Sequence, residues 1–252
     1  MLQIQRMKSL SILLLTVILF SCQEKETLTA NAIVDKTITE ACGGNCDQAE
    51  INFVFRKVKY KSVREHGKYQ LERNFIDSIG AVRDVVSNNG FKRFINDSLQ
   101  QLADTTASKY AETVNSVHYF AQLPNGLNAP AAKKELLGEA KISGKEYYEI
   151  GVTFREEGGG TDFEDKFVYW INKETFHVDY LAYSYAVNGG GVRFREAYNP
   201  RVVEGIRFVD YNNYMPASLK IPLTDLDSLF QQNELELLSK IETENVEVTL
   251  LK

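Results

Sequence analysis

Long apolar runs, basic clusters and catalytic signatures are all scarce in this chain. Apart from Leu10 to Phe20, no stretch approaches the length of a transmembrane helix. Lysine and arginine form no cluster and the net charge is −5, which argues against nucleic acid as a partner. There is no G-x-S-x-G elbow. Repeated βα units are missing, so a barrel enzyme with a Schiff-base lysine is a poor fit. The glycine triplets Gly158–Gly160 and Gly189–Gly191 fall between predicted strands and read as hairpin tips, not phosphate loops. The three histidines, His66, His118 and His177, are scattered. They leave a hydrolase using His118 or His177 as a minor reading. No fixed-period repeat and no low-complexity linker appears.

The N-terminus carries an address. Arg6 and Lys8 precede the apolar run LSILLLTVILF, which ends at Leu19-Phe20-Ser21-Cys22. Residues 1–21 therefore read as a lipoprotein signal peptide, with Met7 as an alternative start and Cys22 as the lipidation site. Cleavage removes Arg6 and Lys8 and takes the net charge from −5 to −7. Acyl chains on Cys22 would hold the protein on a membrane, each buried methylene contributing about 0.8 kcal/mol. Residues 22–28 are a tether. Within it Gln23-Glu24-Lys25-Glu26 resembles a short acidic export signal, and the alternative is a merely solvated linker. Residues 29–252 form one domain. The expected location is the cell envelope, lipid-anchored at the outer membrane, on its periplasmic face or at the cell surface.

The mature chain is dominated by short β-rich runs. Thr29 to Ala41 reads as a helix stopped by Gly43-Gly44. Cys42 and Cys46 flank a glycine-containing loop that a disulfide can close outside the cytoplasm, with free thiols or a functional pair as alternatives. A first sheet follows: INFVFRKVKYKSV as one long strand, then KYQLERNFI, AVRDVVS and FKRFIND, with Asn-Gly at residues 89–90 as a hairpin cue. Asp104 caps a second helix whose apolar side runs through Ala107, Tyr110, Ala111, Val114, Val117 and Ala121. A second sheet starts at Glu135 and continues through KEYYEIGVTF, FEDKFVYWI, VDYLAYSYAV and VRFREAY, turns at Asn199-Pro200-Arg201, and ends in VVEGIRFVDYNNY. After Pro216 a short helix and the alternating strand IETENVEVTLL close the chain.

This order of elements resembles the LolA-like/LppX-like fold of periplasmic lipoprotein carriers and lipid-binding lipoproteins. The segments FVYWINKETFHVDYLAYSY and VVEGIRFVDYNNYMP carry that likeness. NSVHYFAQLPNGLNAP, GGGTDFEDKFVYWIN and GGGVRFREAYNPR are also similar to an uncharacterised lipoprotein family of Bacteroidetes-type bacteria, over roughly residues 30–249. The resemblance implies a mostly β (α+β) fold: an open, strongly curved antiparallel sheet, or half-barrel, with helices across its concave face. It transfers a fold and an address, not a mechanism. A carrier shuttles freely, whereas Cys22 implies a tethered protein.

An open curved sheet that helices cover only in part leaves a greasy cleft. Phe55, Tyr119, Phe120, Trp170 and Tyr183 are the candidate aromatic lining of a mostly apolar cavity beneath the second helix; simple core packing is the alternative for each. Arg193 and Arg195 share one strand face, and their forked guanidinium groups suit a carboxylate or phosphate headgroup. They could instead pair with Asp179, Glu164 or Asp165. Asp162, Glu164, Asp165, His177 and Asp179 lie across one predicted hairpin, but acidic turn residues are usually just solvated, and no metal or cofactor is assigned. The expected function is a membrane-anchored lipoprotein that binds a hydrophobic or amphipathic, lipid-like ligand. The alternative is an envelope or surface module that binds a protein or glycan.

Overall fold

The computed structural model describes residues 28–158, 163–186 and 189–251. The signal peptide, Cys22, most of the tether and Asp162 lie outside the described residues.

Helix α1 (Ala30–Cys42) opens the fold. Thr29 caps it, its hydroxyl accepting from Ala32 N, and Gly43 ends it in the left-handed region. A Cβ on Gly43 would meet Gly205 O at 3.0 Å, so only glycine allows this approach. A disulfide joins Cys42 to Cys46, and Asn45 donates to Glu204 O at 3.1 Å. The small loop thereby fastens the end of α1 to the turn at residues 204–205.

The first sheet contains β1 (Gln48–Phe55), β2 (Val58–Glu65), β3 (Lys68–Asp77), β4 (Gly80–Ser87), β5 (Gly90–Ile95) and β6 (Ser98–Leu99), and also the last strand, β14 (Glu244–Leu250). Helix α2 (Asp104–Ala121) follows β6. The second sheet contains β7 (Ala132–Ile142), β8 (Lys145–Phe154), β9 (Lys166–Asn172), β10 (Val178–Tyr185), β11 (Gly191–Val203), β12 (Ile206–Met215) and β13 (Glu236–Ile241). A short helix α3 (Leu226–Gln231) lies between β12 and β13. Both sheets are antiparallel and seven-stranded, in the orders β14-β1-β2-β3-β4-β5-β6 and β13-β12-β11-β10-β9-β8-β7. Neither closes into a barrel. The expected mostly β, open antiparallel fold is thus built as two sheets that meet where β13 passes into β14 through Glu242 and Thr243.

That passage is one extended segment that changes sheets at a bend. A polar cluster fixes it. Asp210 Oδ1 accepts from Thr243 N at 3.0 Å and from Arg201 Nη2 at 3.1 Å. Its Oδ2 accepts from Asn199 Nδ2 at 2.7 Å. Arg201 also donates to Thr243 O at 2.7 Å. The cluster draws on a bulge in β11, where the register with β12 shifts between Tyr198 and Arg201. Asn199 takes the left-handed conformation there, and Pro200 is tolerated because a bulge asks for no ladder donor. The expected turn at Asn199-Pro200-Arg201 is therefore a bulge inside a continuous strand, and the chain reverses at Glu204-Gly205.

A second correction concerns β1 and β2. The run INFVFRKVKYKSV is not one strand; it reverses at Arg56-Lys57, both at positive φ. His66-Gly67, Asn96-Asp97, Ser143-Gly144 and Glu204-Gly205 have the same geometry, which matches the twist of two-residue hairpins.

One core is shared by both sheets and the two long helices. It includes Ile33 and Val34 of α1, Val117 and Ala121 of α2, Phe53 of the first sheet and Ile150 of the second. A second core lies on the outer face of the second sheet, where Trp170, Tyr180 and Phe194 pack beneath Leu226 and Phe230.

Replacing Asp210 with Ala leaves the Thr243 N–H without its acceptor inside the fold, and takes from the Arg201 head its carboxylate but not its bond to Thr243 O. The expected loss of stability is about 3 kcal/mol. Arg201→Ala loses less, because that side chain reaches solvent. Chemical denaturation of the two variants checks the order.

Candidate functional site

Two of the clefts among the described residues open to solvent away from α2. One, of about 310 Å³, is lined by Tyr147, Asp179, Glu196, Tyr198 and Arg207. The other, of about 560 Å³, lies along β7 to β9 beside Leu223 and is lined by Lys133, Glu135, Leu137, Thr153 and Lys166. Beneath α2, where the sequence predicts an apolar cavity, Val114, Val117 and Ala121 of the helix are buried against the sheets.

Helix α2 is seated by polar contacts at both ends. Near its start, Tyr110 lies over the Arg93 guanidinium, 3.3 Å from ring centroid to carbon. Arg93 and Arg73 both pair with Asp84, at 2.6 and 2.5 Å. Strand register places Tyr60, Arg73, Asp84 and Arg93 in one row across the sheet, so α2 covers a buried ionic ladder. Near the helix end, His118 is 2% exposed and stands edge-on to Phe53 and Tyr60. Its Nε2 lies 3.0 Å from Glu72 O, and its Nδ1 lies 3.0 Å from Gln122 Nε2. Gln122 Oε1 accepts from Ser62 Oγ at 3.3 Å. A carbonyl can only accept and an amide nitrogen only donate, so His118 is neutral with its proton on Nε2. Burial lowers its pKa to about 4.

The last turn of α2 carries Tyr119 and Phe120 to the rim of the second sheet. Tyr119 and Tyr169 share a hydroxyl–hydroxyl bond of 2.6 Å. Burial raises the pKa of both phenols. Phe120 packs edge-on against Phe55, 5.2 Å between centroids. Phe167 stacks on Tyr183 and Tyr169 and touches Tyr119. Tyr211, whose pKa burial pushes up to about 12, approaches Phe120 O at 3.5 Å.

Arg195 sits among these rings. Its guanidinium carbon lies 5.2 Å from the centroid of Phe120, 4.9 Å from Tyr183 and 5.9 Å from Tyr211. Nη2 donates to Tyr183 Oη at 2.7 Å, and the buried Nε has no partner. Arg193, two residues earlier on the same strand face, donates to Tyr185 Oη at 3.0 Å and to Val192 O.

The structure thus gathers Phe55, Tyr119, Phe120, Tyr183, Arg193 and Arg195 along one surface. Trp170 does not join them. Phe194 packs against it on the outer face of the sheet, and its Nε1 donates to Glu149 at 3.0 Å. The expected pairing of Arg193 or Arg195 with Asp179 is absent: Asp179 faces Tyr147 and Arg207. Among the described residues the two arginines take part in no ion pair, and no group of metal ligands forms. Both His118 nitrogens are committed to Glu72 O and Gln122, and His177 lies elsewhere, near Arg207 and Asp179. Tyr211 was missed from the sequence. The alternation of β12 against β11, which pairs Ala197 with Tyr211, is the signal that places it beside Arg195.

The fold and this surface define a class of open antiparallel β protein with a helix laid over an aromatic concave face. Residues 8–244 match the family of unknown function DUF6503, and the chain belongs to that family. No curated protein matches it. Among solved structures, a DUF1329 family protein from Desulfovibrio piger is similar at 12% identity and a TM-score of 0.50, over 88% of this chain and 93% of that one. A LolA superfamily protein from Nitrosomonas europaea follows at 13% identity and a TM-score of 0.49, over 90% and 94%. The Mycobacterium tuberculosis lipoprotein LppX reaches a TM-score of 0.27 at 12% identity, over 64% and 90%.

His118 sets a pH dependence. The unfolded chain binds this proton near pH 6.5 and the folded chain only near pH 4. Its contribution is full above the unfolded value and is lost as pH falls towards the folded one, about 3 kcal/mol across the window. Burial also lowers the pKa of His177, so the comparison uses a His177→Gln background. There, adding His118→Gln should flatten the slope of unfolding free energy between about pH 6.5 and 5, above most carboxylate titrations.

Proposed function

We propose that this protein is a membrane-tethered lipoprotein of a Bacteroidetes-type cell envelope, held by acyl chains on Cys22. It binds a lipid-like ligand against the concave aromatic surface, and α2 is the movable cover. The observation that carries this reading is the seam under the last turn of α2. Six aromatic residues, Phe55, Tyr119, Phe120, Phe167, Tyr183 and Tyr211, meet there, and three of them, Phe120, Tyr183 and Tyr211, lie against the Arg195 guanidinium, which among the described residues no carboxylate neutralises.

The seam is held by ring contacts and a few hydroxyl bonds. Ring contacts are non-directional, so an acyl chain can replace them; the cost of displacing Tyr119 is its one hydroxyl bond to buried Tyr169. The core of the second sheet's outer face is independent of α2, so displacing the helix leaves that half packed. The start of α2 has no side-chain cap, which lowers the barrier to lifting it. A ligand therefore enters by taking the place of Tyr119 and Phe120, not by filling a standing hole.

A second reading has its own observation. Ile76 at the end of β3 is 88% exposed, and Ile79 in the following turn and Leu99 on the edge strand β6 are exposed as well. Apolar exposure of this kind marks contact with another molecule, here an envelope protein or a glycan.

Native mass spectrometry after gentle extraction should find a co-purifying species of lipid mass. Added fatty acid should change hydrogen exchange in α2 far more than in β8 to β10. Phe120→Ala should lower lipid occupancy several-fold. A protein that stays empty and unchanged when given lipid overturns this reading, and specific capture of an envelope partner that Ile76→Lys abolishes supports the second.

A further inference from the structure

Arg195 is an expensive residue to keep where it is. A guanidinium removed from water needs acceptors for its fork of donors. Tyr183 supplies one, at Nη2. The faces of Phe120, Tyr183 and Tyr211 supply diffuse negative charge. None of these satisfies Nε, which is buried and unpartnered. Arg73 and Arg93 have Asp84 close by and Arg201 has Asp210. Arg64 shares the buried, unpartnered Nε of Arg195 but lies on β2, without a second arginine and a ring set around it. Among the described residues Arg195 has no carboxylate close by. Arg193 repeats the pattern one strand-repeat away, about 7 Å along the same face. It too takes hydroxyl and carbonyl partners only.

On these grounds we infer that Arg195, assisted by Arg193, is the receptor for the anionic head of an amphipathic ligand, a carboxylate or a phosphate monoester. The inference rests on the lipid-binding reading above and adds the head chemistry to it. The head lies against the free Nε edge of Arg195, and Arg193 turns from Tyr185 towards it. The acyl chain runs from there under α2, over Phe167 and Phe55. The rings that surround Arg195 exclude water from the ion contact and so strengthen it. They also explain why a chain-bearing anion is favoured over a free one: inorganic phosphate gains nothing from Phe120 and Tyr211. Guanidinium suits the position better than ammonium, because it is weakly hydrated, stacks on rings and offers two parallel donors to one anion.

The test compares ligands that share one chain and differ in the head. The delipidated full-length mature protein is titrated with dodecanoate, dodecyl phosphate and dodecanol by calorimetry, and with inorganic phosphate as a chainless control. Wild type should bind the two anionic amphiphiles at least tenfold more tightly than dodecanol, and should bind inorganic phosphate far more weakly than dodecyl phosphate. Arg195→Met should remove the preference, bringing the affinities for dodecanoate, dodecyl phosphate and dodecanol to within about twofold of one another. Arg195→Lys should restore part of it, and Arg193→Met should reduce it by a smaller factor. Thermal unfolding of each variant checks that the fold is intact, and the wild-type comparison needs no variant at all. Equal affinity for dodecanol and dodecanoate in wild type overturns the head assignment and leaves the lipid reading standing. An anion preference that survives Arg195→Met overturns it as well. Inorganic phosphate bound as tightly as dodecyl phosphate would show a free-anion site and overturn the amphiphile assignment. Failure of every amphiphile to bind overturns both readings.

Discussion

The bend at Thr243 is the constraint on which the architecture depends. Two seven-stranded sheets would each expose a half-finished core if they were not held at a fixed angle. Asp210 holds them by gathering donors from three places: the backbone at the bend, the β11 bulge through Asn199, and Arg201. A carboxylate is well suited to this because it accepts several bonds at once, and because charge-assisted bonds are short and strong. The bulge supplies the geometry. Without the extra residue in β11, Asn199 and Arg201 would not converge on one oxygen pair. Once the angle is set, the inner faces of both sheets point at the same volume, and α1 and α2 have a common surface to bury against.

The two long helices are attached in different ways. α1 is tied covalently at its end through Cys42 and Cys46 and presents Ile33 and Val34 to the core at 0% exposure. α2 is seated over a charged ladder at one end and over an aromatic seam at the other, with His118 and Gln122 between them. Polar seats fix position and register more than they add to stability, since desolvation offsets much of their attraction. A helix held in one place by contacts of modest net strength is one that a ligand can displace, and its return is directed by the same bonds.

The sequence was informative where period and punctuation agree. The apolar stripe of α2, the strands of the second sheet and the glycine-containing turns were all legible, because alternation and turn chemistry state the same thing there. The Cys42–Cys46 bridge was visible from spacing and compartment. Arg56-Lys57 was not legible as a turn: neither residue favours positive φ, and the turn forms because pairing along β1 and β2 outweighs the local strain. Asn199-Pro200-Arg201 misled in the opposite direction, since turn-forming residues also build bulges. At the candidate site, Arg193 and Arg195 stood out by their alternation with Phe194. The aromatic ring set around Arg195 comes from α2, β10 and β12, so Tyr211 was hidden by distance in sequence. Trp170 sits on the outward side of a strand buried on both faces, where alternation cannot tell the two sides apart.

The pairing of β1 with β14 has a consequence for how the molecule is made. Ile51 faces Val248 across that ladder, so β1 waits for a strand synthesised only after the whole second sheet. Contacts of such long loop length form slowly, because the intervening chain must first surrender its freedom. Until β14 is available, β1 keeps an open edge, the kind of surface that recruits other chains. The first sheet is thus barred from completing itself before the strands of the second have been made.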